Sequence, residues 1–208
     1  MNTSETSADS ATCGVMYGTG ARGLQDAFDS RRLADRLDSL TVHDTLTDDD
    51  RDLIARQSFF LLATVGADGW PDVSYKGGAP GFVRAVDEHT ICFPSYDGNG
   101  MFRSLGNIED DGRVALLFVD LEKPWRLRVH GVAGLATDEE ATSNFPGALA
   151  VVTVRVGRAF PNCGRYIHDF ASGTLSRHVP AQGYTPPVPD WKKSREIAPY
   201  LPADQLSD

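Results

Sequence analysis

From Ser58 to Val156 the chain is a succession of short β-rich runs: "SFFLLATV", "WPDVSYK", "GFVRAV", "TICF", "RVALLFV", "WRLRVHGVAGLA" and "LAVVTVRV". Most of the joints between them carry turn chemistry, in "GADG", "GGAPG", "DEH", "EDDG" and "LEKP". Gly, Asp and Pro reverse the backbone there at little steric cost. A connection of a few residues cannot carry a crossover to a parallel neighbour, so these strands pair antiparallel. At least six short strands joined in this way predict a mostly β fold, an antiparallel barrel or sandwich with short flanking helices.

The segments on either side read differently. Residues 1–21 are small and polar and are expected to form a mobile tail. Over 22–57 the apolar positions Leu24, Ala27, Phe28, Leu33, Leu37 and Leu40 recur at helical spacing, with Ser30 and Thr47 placed as N-caps. That pattern predicts two short helices packing on the barrel. Residues 58–179 form the β domain, and 180–208 a Pro-rich tail in which "PDWKKSREIAPYL" is a short helix docking on the body or on a partner subunit. A chain of 208 residues is long enough for one domain with a real core.

Charge removes several functions. A net charge of −9 argues against nucleic-acid or anionic-membrane binding, which need a positive field. An anionic ligand must then be held by a local pocket. The opening "MNTSETSADSATCG" lacks the basic and apolar stretches of a secretory signal, and no apolar run approaches a spanning length, so a cytoplasmic protein is expected. Cys13, Cys92 and Cys163 are odd in number and form no CxxC pair, which fits reduced thiols; Cys92, between Ile91 and Phe93, reads as core.

Other motifs fail on context. "GTGARG", Gly18–Gly23, satisfies GxGxxG but lacks the preceding strand and surrounding βαβ unit of a dinucleotide site. "DGNG" is not followed by the ligands of a calcium loop, and His43, His89, His130, His168 and His178 have no metal-ligand spacing. No GxSxG elbow or Walker loop is present.

The segment "FPSYDGNGMFRSLGNI", Phe93–Ile108, carries the chemistry. Gly98 and Gly100 permit positive φ and close approach of backbone amides to a ligand. A helix over Gly100–Asn107 would aim its positive end and unpaired N–H groups at the same place. Arg103 and Ser104 add a guanidinium fork and a hydroxyl. In "PDVSYKGGAPG", Ser74 and Lys76 alternate onto one strand face, as do Arg126 and Arg128 in "PWRLRVHG". Taken singly, each reads equally as a solvated loop or an exposed charged strand; together they describe a phosphate site.

The order of these segments resembles the FMN-binding split barrel of the pyridoxamine 5'-phosphate oxidase superfamily, most of all its branch of predicted flavin-nucleotide-binding proteins. The resemblance runs over roughly Arg22 to Tyr200 and rests on "FLLATVGADGWPDVSYKGGAPGFV", "FPSYDGNGMFRSLGNI" followed by "RVALLFVD", "WRLRVHG" and "FPNCGRYIHDF". It implies a six-stranded antiparallel split β-barrel that forms a homodimer with FMN at the subunit interface. In the family an arginine matching Ser74 helps hold the FMN phosphate, and the backbone matching Tyr75 and Lys76 lies along the flavin ring. An Arg-Lys pair corresponds to Arg103 and Ser104, and a glutamine near the ring falls on Arg126. Phe93 and Ser95, with Asn99 in "YDGNGMFRSLGNI", the most specific piece of the match, complete the expected cofactor contacts.

Two departures matter. Basic residues are lost at Ser74 and Ser104, so Lys76, Arg103 and the helix end carry the phosphate charge. In "YIHDF", His168 and Asp169 match the family's substrate signature, but Tyr166 and Phe170 replace its arginines, which does not favour vitamin B6 as substrate. The resemblance therefore implies an FMN-dependent oxidoreductase acting on an unidentified small molecule, with His168 as the candidate for substrate contact or proton transfer. The competing readings are a non-catalytic flavin or haem carrier or sensor, and a reductase using the deazaflavin F420.

Overall fold

The computed structural model describes residues 15–121, 123, 125–169, 172–173, 177 and 184–205. Cys13 and the rest of 1–14, together with Phe170, His178 and Pro180, lie outside the described residues.

Three helices precede the sheet instead of two: α1 (Thr19–Ala27), α2 (Arg31–Thr41) and α3 (Asp48–Arg56). The additional one begins inside "GTGARG", within the segment read as a tail to residue 21. Helix α1 buries none of its own side chains and is tied to α2 by polar contacts, with Arg22 Nη1 2.6 Å from Asp35 Oδ1 and Arg31 Nη2 2.6 Å from Asp26 Oδ2. Asp29, at φ 47°, turns the chain between the two helices. Ser30 precedes α2 without a side-chain capping bond. Thr47 caps α3 as the sequence predicts: its hydroxyl accepts from the Asp50 amide at 3.2 Å, and Asp50 Oδ2 accepts from the Thr47 amide at 3.0 Å. The same Asp50 oxygen lies 2.7 Å from His43 Nε2, which fastens the start of α3 to the preceding loop.

The β region forms a single antiparallel sheet of seven strands: β1 (Phe59–Val65), β2 (Pro71–Gly77), β3 (Arg84–Ala85), β4 (Thr90–Tyr96), β5 (Arg113–Val119), β6 (Arg126–Ala136) and β7 (Ala148–Asn162). Helix α4 (Arg103–Asp110) joins β4 to β5, and α5 (Glu139–Thr142) joins β6 to β7. The spatial order is β2-β1-β5-β6-β7-β4-β3. One strand more than the expected six comes from β3, a two-residue edge piece paired with β4. The edge strands β2 and β3 do not pair with each other, so the barrel is open between them.

Burial alternates along β1 and β5 although both are mostly apolar, which assigns one row to the core and leaves the other on the outer face. The core gathers Phe60, Leu62, Phe93, Leu116, Phe118, Leu127, Val129 and Val152, all fully buried. Phe60 is its hub, packing edge-on against Phe93 at 4.9 Å and tilted against Phe118 at 5.3 Å. Strand β7 runs far beyond "LAVVTVRV" because β6 and β4 both pair with it, β6 along nearly its full length.

The C-terminal segment makes 3-10 turns at Asp190–Lys193, Ala198–Tyr200 and Ala203–Gln205 and docks on the body of this chain. Arg32 donates to the Pro199 carbonyl at 3.0 Å and Arg36 to that of Glu196 at 3.2 Å, while Ile197 and Leu201 are buried. Among the described residues no helix is long and apolar enough to cross a membrane.

Candidate functional site

The open edge of the barrel holds a cleft of about 360 Å³ between β2, the end of β4 and the start of α4. Strand alternation supplies one wall: Asp72, Ser74 and Lys76 project from the same face of β2, in register with Thr64, Leu62 and Phe60 of β1. The other wall is the turn 98–102 and the first residues of α4. Helix α4 takes its angle from buried Ser104 and Ile108, spaced i, i+4, and from Asn107, whose Nδ2 donates to Thr64 Oγ1 at 2.9 Å.

The helix begins at Arg103, three residues later than its predicted start. Gly100 has φ 73° and Phe102 φ 51°, and Asn99 Oδ1 accepts from the Met101 amide at 3.0 Å; these hold the turn away from helical geometry until Arg103. Gly100, and not Gly98, uses the left-handed region. No side chain caps the start of α4, and its first turn carries no acidic residue. The unpaired amides and the positive end of the helix dipole, roughly half an elementary charge, therefore open into the cleft.

Ser104 Oγ lies 3.0 Å from Ser74 Oγ and accepts from Lys76 Nζ at 3.3 Å. Burial pushes the Lys76 ammonium below the ordinary lysine value, with Asp72 pulling it back up. Arg103 Nε stands 3.6 Å from Asp72 Oδ2, its side chain largely in solvent. Two cations, the paired hydroxyls of Ser74 and Ser104, free amides and one opposing carboxylate make a donor set suited to a phosphomonoester.

Of the residues expected at the site, Ser74, Lys76, Ser95, Asn99, Arg103 and Ser104 line this one cleft. The others lie elsewhere. Tyr75 faces the opposite side of β2, stacked on Phe59 at 5.2 Å, because adjacent strand residues point to opposite faces. Phe93 is enclosed in the core. Arg126 opens β6, where its Nη2 donates to the Cys163 carbonyl and its Nε is buried without a hydrogen-bond partner. His168 follows β7 and does not line the cleft. Asp72 was missed, although it stands two residues before Ser74 on a strand and so on the same face.

Among the described residues no cluster of His, Cys, Asp or Glu could hold a metal ion. Burial raises the Cys92 thiol above the usual range, but Cys92 is only half-buried and stands on the face of β4 opposite Ile91 and Phe93, so it is not the core residue its neighbours suggest.

The model of the family described as pyridoxamine 5'-phosphate oxidase matches residues 46–160, a span from Leu46 into β7 that covers more than half of the chain. No protein of curated function matches. Similar solved structures include HupZ of Group A Streptococcus, 26% identical with a TM-score of 0.45, over 63% of this chain and 98% of that one. Another is a candidate pyridoxamine 5'-phosphate oxidase of Lactobacillus delbrueckii, 25% identical with a TM-score of 0.47, over 58% of this chain and 99% of that one.

Proposed function

Since the chain belongs to the pyridoxamine 5'-phosphate oxidase family, we propose that it is an FMN-dependent oxidoreductase acting on a small molecule, with the cofactor phosphate seated between β2 and α4. The observation that carries this reading is the convergence of Ser74, Lys76, Arg103 and Ser104 with the uncapped start of α4 in one cleft of an acidic protein. FMN, when bound, supplies two-electron transfer; the chain supplies binding, orientation and electrostatics.

Lys76 and Arg103 balance the phosphate charge, and the hydroxyls of Ser74 and Ser104 donate to its oxygens. Ser104 Oγ now accepts from Lys76. A phosphate oxygen accepting from both groups would replace that contact with two charge-assisted bonds. Arg126, with a buried N–H lacking an acceptor, is the candidate cation for negative charge on the ring, and His168 the candidate proton carrier toward substrate.

The outer face of β1 and β2 supports a homodimer. Val73 and Tyr75 are exposed there by 62% or more, apolar side chains on one strand face of the kind that an interface covers.

A second reading is a flavin-binding protein without turnover, in which the cleft holds the cofactor phosphate in the same way. One preparation tests both. Protein purified from its native host is denatured and the released ligand identified by mass. Absence of FMN, with no uptake of added FMN, overturns the flavin assignment. If FMN is present, anaerobic reduction followed by air separates a reactive oxidase from an inert carrier.

A further inference from the structure

A second and larger chamber, about 1030 Å³, lies between α2, the end of β7 and the C-terminal turns. None of its lining residues belongs to the phosphate cleft. Much of its wall comes from residues outside the family-matched span 46–160, so it is a feature of this chain's own flanking segments.

The walls are mostly apolar. Leu37 of α2, Phe160 of β7 and Trp191 and Ile197 of the C-terminal segment offer aromatic and aliphatic surface, the composition of a small-molecule pocket. Two acceptors among the lining residues are unsatisfied: Asp38 Oδ1 and Asn162 Oδ1 are buried with no hydrogen-bond partner. A buried carboxylate oxygen without a donor is costly, and the soft terminal torsion of Asp lets the group turn toward one. The carboxylate also acts on its surroundings, since the Tyr17 hydroxyl is held above the usual tyrosine range by burial and then by the charge of Asp38.

The other carboxylates at the wall are paired or exposed, and the Nε of Arg165 is also buried there. Asp190 lies 3.2 Å from Lys193 Nζ and 4.0 Å from Arg177 Nη2. The Arg165 guanidinium lies over the Tyr166 ring at 5.8 Å. Glu196 is exposed to solvent. Asp38 Oδ1 and Asn162 Oδ1 therefore each call for a hydrogen-bond donor, and beside the Asp38 carboxylate a cationic donor is favoured.

We propose that this chamber is a second small-molecule site, taking an aromatic or other apolar body that carries a protonated amine, with the ring against Trp191 and Phe160 and the ammonium donating to Asp38. The site is independent of the flavin reading.

The test is calorimetric titration of the full chain, with its cleft filled by inorganic phosphate, using tryptamine and two matched probes, uncharged tryptophol and anionic indole-3-propionate. Tryptamine is expected to bind saturably, tryptophol about tenfold or more weakly, and the acid not measurably. Asp38→Asn, close to isosteric, is expected to weaken tryptamine by about tenfold while leaving tryptophol unchanged. Leu37→Trp, which fills the chamber, is expected to abolish binding of both. No saturable tryptamine binding, equal binding of amine and acid, or full tryptamine affinity in Asp38→Asn each overturns the proposal. The Asp38→Asn comparison decides even if Leu37→Trp fails to fold.

Discussion

The hydroxyl of Ser104 lies 3.0 Å from that of Ser74, joining the start of α4 to the face of β2 across a cleft otherwise bounded by a loop. Each hydroxyl both donates and accepts, so the pair can turn its protons toward an anion without moving a heavy atom. The half-buried Lys76 ammonium beside them is the strongest charge in the cleft, because it is screened less than the exposed Arg103. Lys76→Met is therefore expected to weaken FMN binding by about 2–3 kcal/mol and Arg103→Ala by about 1 kcal/mol. Fluorescence titration of FMN into each variant measures both. Wild-type affinity in Lys76→Met contradicts the phosphate assignment.

The depressed Lys76 value gives opposite pH trends for stability and for binding. Burial makes the folded chain release this proton more readily than the unfolded chain, whose ordinary value is 10.5. Between the lowered folded value and 10.5 the unfolded state binds more protons, so the Lys76 contribution to stability increases with pH across that window. Phosphate binding needs the ammonium, so affinity falls over the same window. Phenyl phosphate, fully dianionic well below it, is expected to bind more weakly as pH rises through the window, with Lys76→Met showing a flat profile. Equal slopes in both proteins rule out Lys76 as the titrating group.

Much of the fold is legible in the alternation and turn chemistry of 58–156, because an antiparallel sheet is specified by local reversals. The cleft is legible for a related reason: Ser74 and Lys76 sit on one strand face by period alone, and Arg103 and Ser104 open a helix after a glycine turn. Residues whose place depends on tertiary packing are not. Phe93 follows Cys92 in a run that reads the same for either face, and only pairing with β7 sends Phe93 inward. Tyr75 carries the opposite lesson, since the alternation that brings Ser74 and Lys76 to the cleft also sends their neighbour out of it. Helix α1 is hidden by Gly20 and Gly23, residues that disfavour a helix interior by about 1 kcal/mol each, and its contacts to α2 are ones no local pattern displays. Its Leu24 and Phe28 do recur at helical spacing, yet both are exposed.

If the outer face of β1 and β2 is the homodimer interface, a charge at its centre will split the dimer. Tyr75 is 64% exposed and stacked on Phe59, so Tyr75→Glu places a carboxylate among apolar groups without disturbing the core. Sedimentation velocity is expected to show a dimer for the wild type and a monomer for the variant, with unchanged circular dichroism. A monomeric wild type, or a variant that remains dimeric, removes this face from the assembly.

Gly131 marks the irregularity where β6 shifts register against β7, between His130 and Gly131. A Cβ added there would meet the Arg155 carbonyl oxygen at 2.3 Å and Val154 Cγ1 at 2.8 Å, and a carbonyl in the longest strand of the sheet cannot withdraw cheaply. At Gly134 in the same strand, a Cβ meets nothing within 4 Å. Gly131→Ala is expected to destabilise the fold by about 2–4 kcal/mol, the range of backbone overpacking. Gly134→Ala should be neutral or stabilising by a few tenths, since it mainly reduces the freedom of the unfolded chain. Urea unfolding of the two variants side by side measures the difference. Equal midpoints would mean that β7 yields at Arg155 and that the close approach at the bulge is not what requires glycine.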